Sequence, residues 1–380
     1  MIAVDFTFLD TIEYEQKTLL KSFCIFTGVL LDAFADAGMA NRFRICCTSG
    51  QQDYLKERFP DCEVVAVNRI LRLSAPLLGA ERSLRWFRRL NRRTALFFRT
   101  QALRDVDCIW FPYGLPEFFW KAAQGRNYIL TIHDLMIYHN DVKEPADAAE
   151  FQAMMNRAAA IAGVSEMTCR DIKDSFPDTD PVYIPNPFLI PAHTVPDPER
   201  TPYILSINGY GEHKNQMTLL NAYARIAGQT PCRLVFCGGW QDPDYVEKMR
   251  VFIRENQLEE RVDLIIRAKE EEVNDLLKNC TLFVSSSRAE GFGRTPIEAA
   301  LYGKSVIVPE IHPFTDTTHG LVHYYKDPMD DRELAGCILD VLEHPDPQEK
   351  LMNIRDAFEQ EYSAAHCAEQ YTALFRKVTG

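Results

Sequence analysis

Short apolar runs alternate with longer amphipathic stretches along the whole chain. In the first half, strands are predicted at Ile2–Leu9, Phe43–Thr48, Glu63–Val67, Cys108–Phe111, Tyr128–Ile132, Ala160–Val164 and Val182–Ile184. A long helical stretch, 18–37, separates the first two. The alternation starts again at Tyr203–Ile207 and continues through Arg233–Cys237, Val262–Ile266, Leu282–Val284, Ser305–Val308 and Leu321–Tyr324. Strands spaced by helical segments predict parallel α/β sheets. Between the two series lie five prolines from Pro185 to Pro198, and the segment to Pro202 reads as a linker. From residue 332 to 342, and on to 378, the pattern is helical.

With 380 residues the chain exceeds what one hydrophobic core organises, so two domains are expected. An apolar content of 46% and a charged content of 25% are ordinary for a soluble globular protein. No apolar run reaches the length of a membrane-spanning helix. The N-terminus reads as a strand and carries acids where a signal peptide needs positive charge, so a cytoplasmic location is expected. A net charge of −12 argues against nucleic-acid binding by the whole surface. The eleven cysteines are scattered, several inside apolar runs (Cys46, Cys47, Cys108, Cys237, Cys280), and none has zinc-ligand spacing. Neither a disulfide framework nor a structural zinc is expected.

Residues 281–311 carry the densest chemistry. They read as a strand, a glycine-broken loop from Ser285 to Gly293, a helix over Pro296–Tyr302 and a further strand. Thr295 is placed to cap the helix, Pro296 to open it, and Glu298 falls three residues after the cap. Gly291 and Gly293 allow backbone N–H groups close to a ligand, and a helix start behind such a loop suits an anion. Glu290 and Glu298 frame the loop with seven residues between them. Taken singly, Glu298 reads equally well as the acid of a capping box and Glu290 as a solvated loop residue.

Together, Glu290-Gly-Phe-Gly-Arg-Thr-Pro-Ile-Glu298 and the following Gly303-Lys-Ser-Val-Ile-Val resemble the signature of the retaining glycosyltransferases of family 4. The resemblance implies the GT-B architecture, two facing Rossmann-like domains, here 1–190 for the acceptor and 191–363 for the donor. The last helix, 364–380, would pack back on the first domain. It implies that Glu290 bonds donor-sugar hydroxyls beside the backbone of Gly291, Phe292 and Gly293, and that Glu298 holds the nucleotide ribose, with Thr295 next to it. The segment Asn208-Gly-Tyr-Gly-Glu-His-Lys-Asn215 is similar to the family's Arg-Lys-Asn element. Its two glycines, Gly209 and Gly211, admit a tight turn, and Lys214 would bind the diphosphate. His213 stands where the family has an arginine, and Asn208 where some relatives have another. Arg294 is therefore expected to supply the missing charge. Gly238 ends a strand beside the nucleotide or belongs to an ordinary turn, and Arg267 is a weaker candidate near the base.

In the first domain, His133 ends a strand in a His-Asp-Leu sequence that resembles the element facing the donor sugar in the family. Asp134 would orient its ring, and the turn 111–116 would line the acceptor side. Ser165 reads as a helix cap. The family's Gly-Gly loop after the first strand is missing, since residues 8–16 contain no glycine. The stretch 82–99 holds seven arginines and no acid. As a helix it would gather Trp86, Phe87 and Leu90 on one side and Arg85, Arg88, Arg89 and Arg92 on the other. Two readings stand: a helix lying on an anionic membrane, or a surface helix packed on the domain.

The resulting expectation is a retaining, metal-independent hexosyltransferase with no cofactor. Its donor would be a GDP- or UDP-linked mannose or glucose, and its acceptor a glycan or lipid-linked glycan of cell-surface polysaccharide synthesis. It would work in the cytoplasm or at the inner face of the membrane. The alternatives are an epimerase or phosphorylase of the same fold, or a noncatalytic subunit of a polysaccharide assembly.

Overall fold

The computed structural model describes residues 1–7, 22–68, 99–113, 123, 125–135, 145–193, 195–239 and 242–380. Arg85, Trp86, Arg88, Arg89 and Arg92 of the basic stretch lie outside them, as does the loop that replaces the Gly-Gly element. The chain forms two compact units, one of residues 1–164, 168–187 and 364–380, the other of 165–167 and 188–363.

The first unit holds β1 (Ile2–Asp5), α1 (Ser22–Asp36), β2 (Phe43–Thr48), α2 (Gln52–Arg58), β3 (Glu63–Asn68), β4 (Cys108–Phe111), β5 (Tyr128–Ile132), α3 (Pro145–Arg157), β6 (Ala160–Gly163), α4 (Glu166–Ser175) and β7 (Val182–Tyr183). Its seven strands are parallel, in the order β3-β2-β1-β4-β5-β6-β7. Both faces are covered, and successive residues enter opposite cores. Cys108 and Trp110 join one apolar cluster while Ile109 and Phe111 join the other. That two-sided burial is why these strands read as unbroken apolar runs. The first strand ends at Asp5, short of the predicted Leu9.

In the second unit come β8 (Tyr203–Ile207), α5 (Gln216–Ile226), β9 (Arg233–Gly238), α6 (Pro243–Glu255), β10 (Val262–Ile266), α7 (Glu270–Asn279), β11 (Leu282–Val284), α8 (Arg294–Leu301), β12 (Ser305–Pro309), α9 (Phe314–Thr318), β13 (His323–Tyr325), α10 (Asp331–Glu343) and α11 (Gln348–Tyr362). Its six parallel strands are ordered β10-β9-β8-β11-β12-β13. The last strand starts two residues later than predicted, because Gly320 is left-handed (φ 73°) and Leu321 still turns back to Thr318. The proline-rich segment is fastened along this unit: the Phe188 N–H donates to the Tyr362 carbonyl (2.8 Å), Arg355 reaches the Pro191 carbonyl (2.5 Å), and Asn279 accepts from the Asp197 N–H (2.9 Å).

The final helix, α12 (Ala364–Thr379), belongs to the first unit. Its Tyr371 and Phe375 close on Trp110 from one side, with ring centroids 5.1 and 5.6 Å away, and Phe26 and Phe34 of α1 approach the same indole. The polar tips are paired inside this cluster: the Trp110 indole N–H donates to Thr131 Oγ1 (3.0 Å), which also bonds the Tyr371 hydroxyl (2.9 Å). An unpaired buried hydroxyl would cost about 1–3 kcal/mol. Among the described residues no helix is long and apolar enough to cross a membrane.

Candidate functional site

Each sheet reverses its strand order once, between β1 and β4 in the first unit and between β8 and β11 in the second. In doubly wound sheets ligands gather outside the carboxyl ends of the strands at such a reversal. In the second unit the loops leaving β8 and β11 flank that point, and they carry the residues singled out above.

The two loops are laced together through their backbones. The Arg288 N–H donates to the His213 carbonyl (2.9 Å), Ser286 Oγ to the Lys214 carbonyl (3.1 Å) and the Arg288 guanidinium to the Glu212 carbonyl (3.1 Å). This lacing brings Lys214 Nζ to 2.7 Å from Glu290 Oε1, with the two side chains only 17% and 15% exposed. Burial at that level weakens solvent screening, so the pair is stronger than a surface ion pair. Burial, then Lys214 and Arg288, hold the His213 pKa below the ordinary histidine value, against the pull of Glu290.

The turn behind Lys214 differs from the expected one. Gly211 is extended (φ −178°), a conformation open to any residue, and the left-handed residue is Asn215 (φ 57°). Asn is among the few non-glycine residues that tolerate this region. Its side chain is buried and bonded on both sides, donating to the Pro328 carbonyl (2.8 Å) and accepting from Thr218 Oγ1 (2.9 Å). Asn215 therefore turns the chain from Lys214 into α5. Gly209 only lends its carbonyl to Gln216 Nε2 (2.8 Å). Gly238 serves close packing: a Cβ there would lie 2.0 Å from the Asn208 carbonyl oxygen.

The start of α8 is likewise corrected. The helix begins at Arg294, two residues before Pro296, and Gly293 occupies the N-cap position with φ 83°. No side chain caps it. Thr295 is thus the second helical residue, and Glu298 lies one turn beyond Arg294, too far along for a capping box. Gly293 is required twice over, by its left-handed backbone and because a Cβ would sit 2.5 Å from Phe314 Cε1. The helix therefore starts where the chain must turn sharply against Phe314.

Around that start the side chains divide. Phe292 is buried against Phe188 and Tyr362 (centroids 5.9 and 5.6 Å), which leaves only its backbone beside the loop surface. Its carbonyl accepts from Thr317 Oγ1 (3.1 Å), and the Gly291 carbonyl accepts from Ser165 Oγ (3.1 Å). Ser165 thus reaches the signature loop, a contact its cap-like sequence context does not reveal. Arg294 lies over the Phe188 ring, 4.2 Å from its centroid, and approaches Glu298 Oε1 at 3.3 Å. The four charged candidates thus form two pairs, Lys214 with Glu290 and Arg294 with Glu298. Arg267, beyond β10, is left-handed too (φ 61°), with its N–H donated to the Gly238 carbonyl (2.7 Å) and its side chain exposed.

In the first unit His133 follows β5. Its Nε2–H donates to the Pro112 carbonyl (2.9 Å), which fixes the tautomer, and the ring meets Phe26 edge-on (4.9 Å). At the strand reversal itself stands Asp5, buried, accepting from the Thr7 N–H (2.9 Å) and hydroxyl (2.7 Å). Burial pushes its carboxyl up to about 6, against the Thr7 hydrogen bonds and the Arg99 charge. The sequence offers no signal for this, since Asp5 is one acid at the end of an apolar strand.

An α/β chain with two such sheets and a charged, glycine-gated switch point is a GT-B protein of Rossmann-like units. Residues 193–358 match the family Glycosyl transferases group 1. The solved structures it resembles share the fold. Anabaena HepE, in a complex with UDP and glucose, superposes with a TM-score of 0.73 at 17% identity over 99% of both chains. The sucrose-phosphate synthase of Thermosynechococcus elongatus superposes at 0.75 and 18% identity, over 99% of this chain and 98% of that one. Among curated proteins, the chain is 25% identical over 193 residues to the Dictyostelium discoideum alpha-1,3/1,6-mannosyltransferase ALG2, 46% of each chain. It is 22% identical over 233 residues to the Salmonella typhimurium O-antigen chain mannosyltransferase RfbU, covering 60% of this chain and 64% of the relative. The chain thus matches about half to two thirds of the length of these relatives.

Proposed function

We propose that the protein is a retaining hexosyltransferase that uses a nucleotide-diphospho-sugar, with a glycan or lipid-linked glycan as acceptor. The observation that carries the reading is the 2.7 Å Lys214–Glu290 pair, assembled from two loops at the strand reversal next to the uncapped start of α8. A half-buried ammonium beside a helix N-terminus suits a diphosphate, and a carboxylate beside it suits sugar hydroxyls.

In this reading the donor's anomeric C–O bond breaks and the electron pair leaves with the diphosphate. Lys214, Arg294 and the α8 N-terminus stabilise the developing charge, and no metal takes part. Glu290 holds the sugar as it gains oxocarbenium character, while Glu298 holds the ribose. The acceptor hydroxyl attacks on the face the phosphate leaves, and its proton goes to the departing phosphate oxygen. The similarity to an O-antigen mannosyltransferase and to ALG2 favours mannose and a role in cell-surface glycans, whereas HepE with UDP and glucose favours the UDP-linked donor.

Incubation with a panel of GDP- and UDP-sugars tests the reading. One nucleotide should raise the melting temperature, and its sugar conjugate should be hydrolysed slowly without acceptor. Release of sugar phosphate or epimerised nucleotide sugar would instead indicate the epimerase or phosphorylase alternative, and absence of nucleotide binding a noncatalytic subunit. The basic stretch 82–99 is proposed to meet the anionic inner face of a membrane. Changing Arg85, Arg88, Arg89 and Arg92 to Gln should then release the protein from anionic vesicles, at about 1 kcal/mol per residue.

A further inference from the structure

The donor loop is supported from beneath by α9 and by the end of α11. Phe314 fills the space that a Cβ on Gly293 would need, and Thr317 Oγ1 carries the Phe292 carbonyl at 3.1 Å. The Thr317 carbonyl accepts in turn from the Tyr362 hydroxyl (2.8 Å), and the Tyr362 ring, fully buried, meets Phe292 edge-on. Tyr362 is thus bonded to the loop's support by its hydroxyl and to the loop's phenylalanine by its ring.

His319 ends α9 in the left-handed region (φ 50°), which swings its ring back over α11. Its Nε2 lies 2.7 Å from Glu361 Oε2 and 3.1 Å from the Tyr362 hydroxyl, and its ring is nearly parallel to that of Tyr362 (11°). Because the Tyr362 proton is committed to Thr317, its oxygen is the acceptor from His319. The charged groups acting on the ring are acids: Glu361 from α11, Glu166 from the 165–167 segment and Asp316 from α9 itself.

We propose that His319 is a positioning residue for the donor loop: its ring, bridging Glu361 and the Tyr362 hydroxyl through Nε2, holds the Tyr362–Thr317 support that carries the Phe292 carbonyl. The proposal rests on the reading of that loop as the donor site. The Glu361 hydrogen bond first, and then the acid charges, raise the His319 pKa, with burial opposing. The bridge is therefore strongest below the ordinary histidine range; as pH rises through the raised value the ring keeps its Nε2–H but loses the charge that strengthens both contacts. Nucleotide binding acquires a pH dependence centred on a residue that does not touch the nucleotide.

The test is nucleotide affinity by calorimetry with UDP and GDP, between about pH 5.5 and pH 9, for the wild type, His319→Asn and Glu361→Gln. Asn suits the left-handed backbone but does not titrate. At low pH His319→Asn should bind roughly fivefold more weakly than the wild type, a modest coupling free energy, and the gap should narrow at high pH. Glu361→Gln should move the wild-type transition to lower pH. Should His319→Asn fail to fold, this shift alone decides the matter. A ratio of affinities that stays constant with pH, or an unmoved transition in Glu361→Gln, would overturn the proposal. A wild type that binds neither nucleotide at any pH would instead overturn the donor-site reading beneath it.

Discussion

The two units share one plan, a parallel sheet reversed beside its first strand, yet they furnish the reversal differently. In the second unit the loops there are bonded backbone to backbone and present paired charges, Lys214 with Glu290 and Arg294 with Glu298. In the first unit the corresponding strand ends present a histidine among aromatic rings and a buried carboxyl, Asp5. A diphosphate demands fixed positive charge at a fixed place, so its site tolerates little variation. An acceptor is recognised by shape and scattered hydroxyls, which many surfaces provide. The match to the glycosyltransferase family lies at 193–358, within the second unit.

The comparison breaks first at the charges. Lys214→Ala and Arg294→Ala should each slow sugar transfer by roughly 10²–10³, the scale of one lost preorganised donor. In the double variant the loss should be less than the product, as expected of two groups that serve one diphosphate in the proposed reading. A normal rate in Arg294→Ala would make Arg294 a structural residue, over Phe188 and beside Glu298. Gly293→Ala comes next. Its strained backbone and the Phe314 contact should cost about 1–3 kcal/mol in thermal unfolding, with loss of nucleotide binding.

The two glutamates then sharpen the division of labour inside the second unit. Glu298→Gln should weaken nucleotide binding by about 1–3 kcal/mol, while Glu290→Gln should cut turnover and spare the free nucleotide. Equal melting losses with full activity in both would make them structural residues. For the first unit the test is pH. A carboxyl raised from 3.8 to about 6 contributes stability below its unfolded pKa that is lost as pH rises through the folded one. Asp5→Asn should therefore flatten the stability curve between about pH 4 and 6, by on the order of 1–3 kcal/mol. An unchanged curve would mean that Asp5 does not titrate there. Smallest of all, Tyr371→Phe should lower stability by about 1 kcal/mol through the lost bond to Thr131.

Much of the fold is legible because burial writes itself into composition. Cys108–Phe111 and Tyr128–Ile132 are apolar throughout since both faces of their sheet are covered, and strand boundaries there need no tertiary information. The signature from Glu290 to Glu298 is legible because glycines, a proline and acids at that spacing are rare together. The helix start inside it is not. Thr295, Pro296 and Glu298 make a sound local cap, but Phe314, twenty-one residues after Gly293, decides the turn. Asn215 escapes notice for a similar reason, since its left-handed backbone is held by Pro328, far along the chain.

By itself, then, the sequence determined the two parallel α/β series, the position of the glycine-rich loop and the identity of the charged residues around it. These follow from local burial and backbone freedom. Only the tertiary structure decided which charges pair, that burial and Lys214 hold His213 below the ordinary histidine value, that Phe292 faces inward, and that burial raises the Asp5 carboxyl to about 6. Such properties depend on distances between residues remote in the chain and on how far water is excluded around them, and neither quantity is written in any one segment.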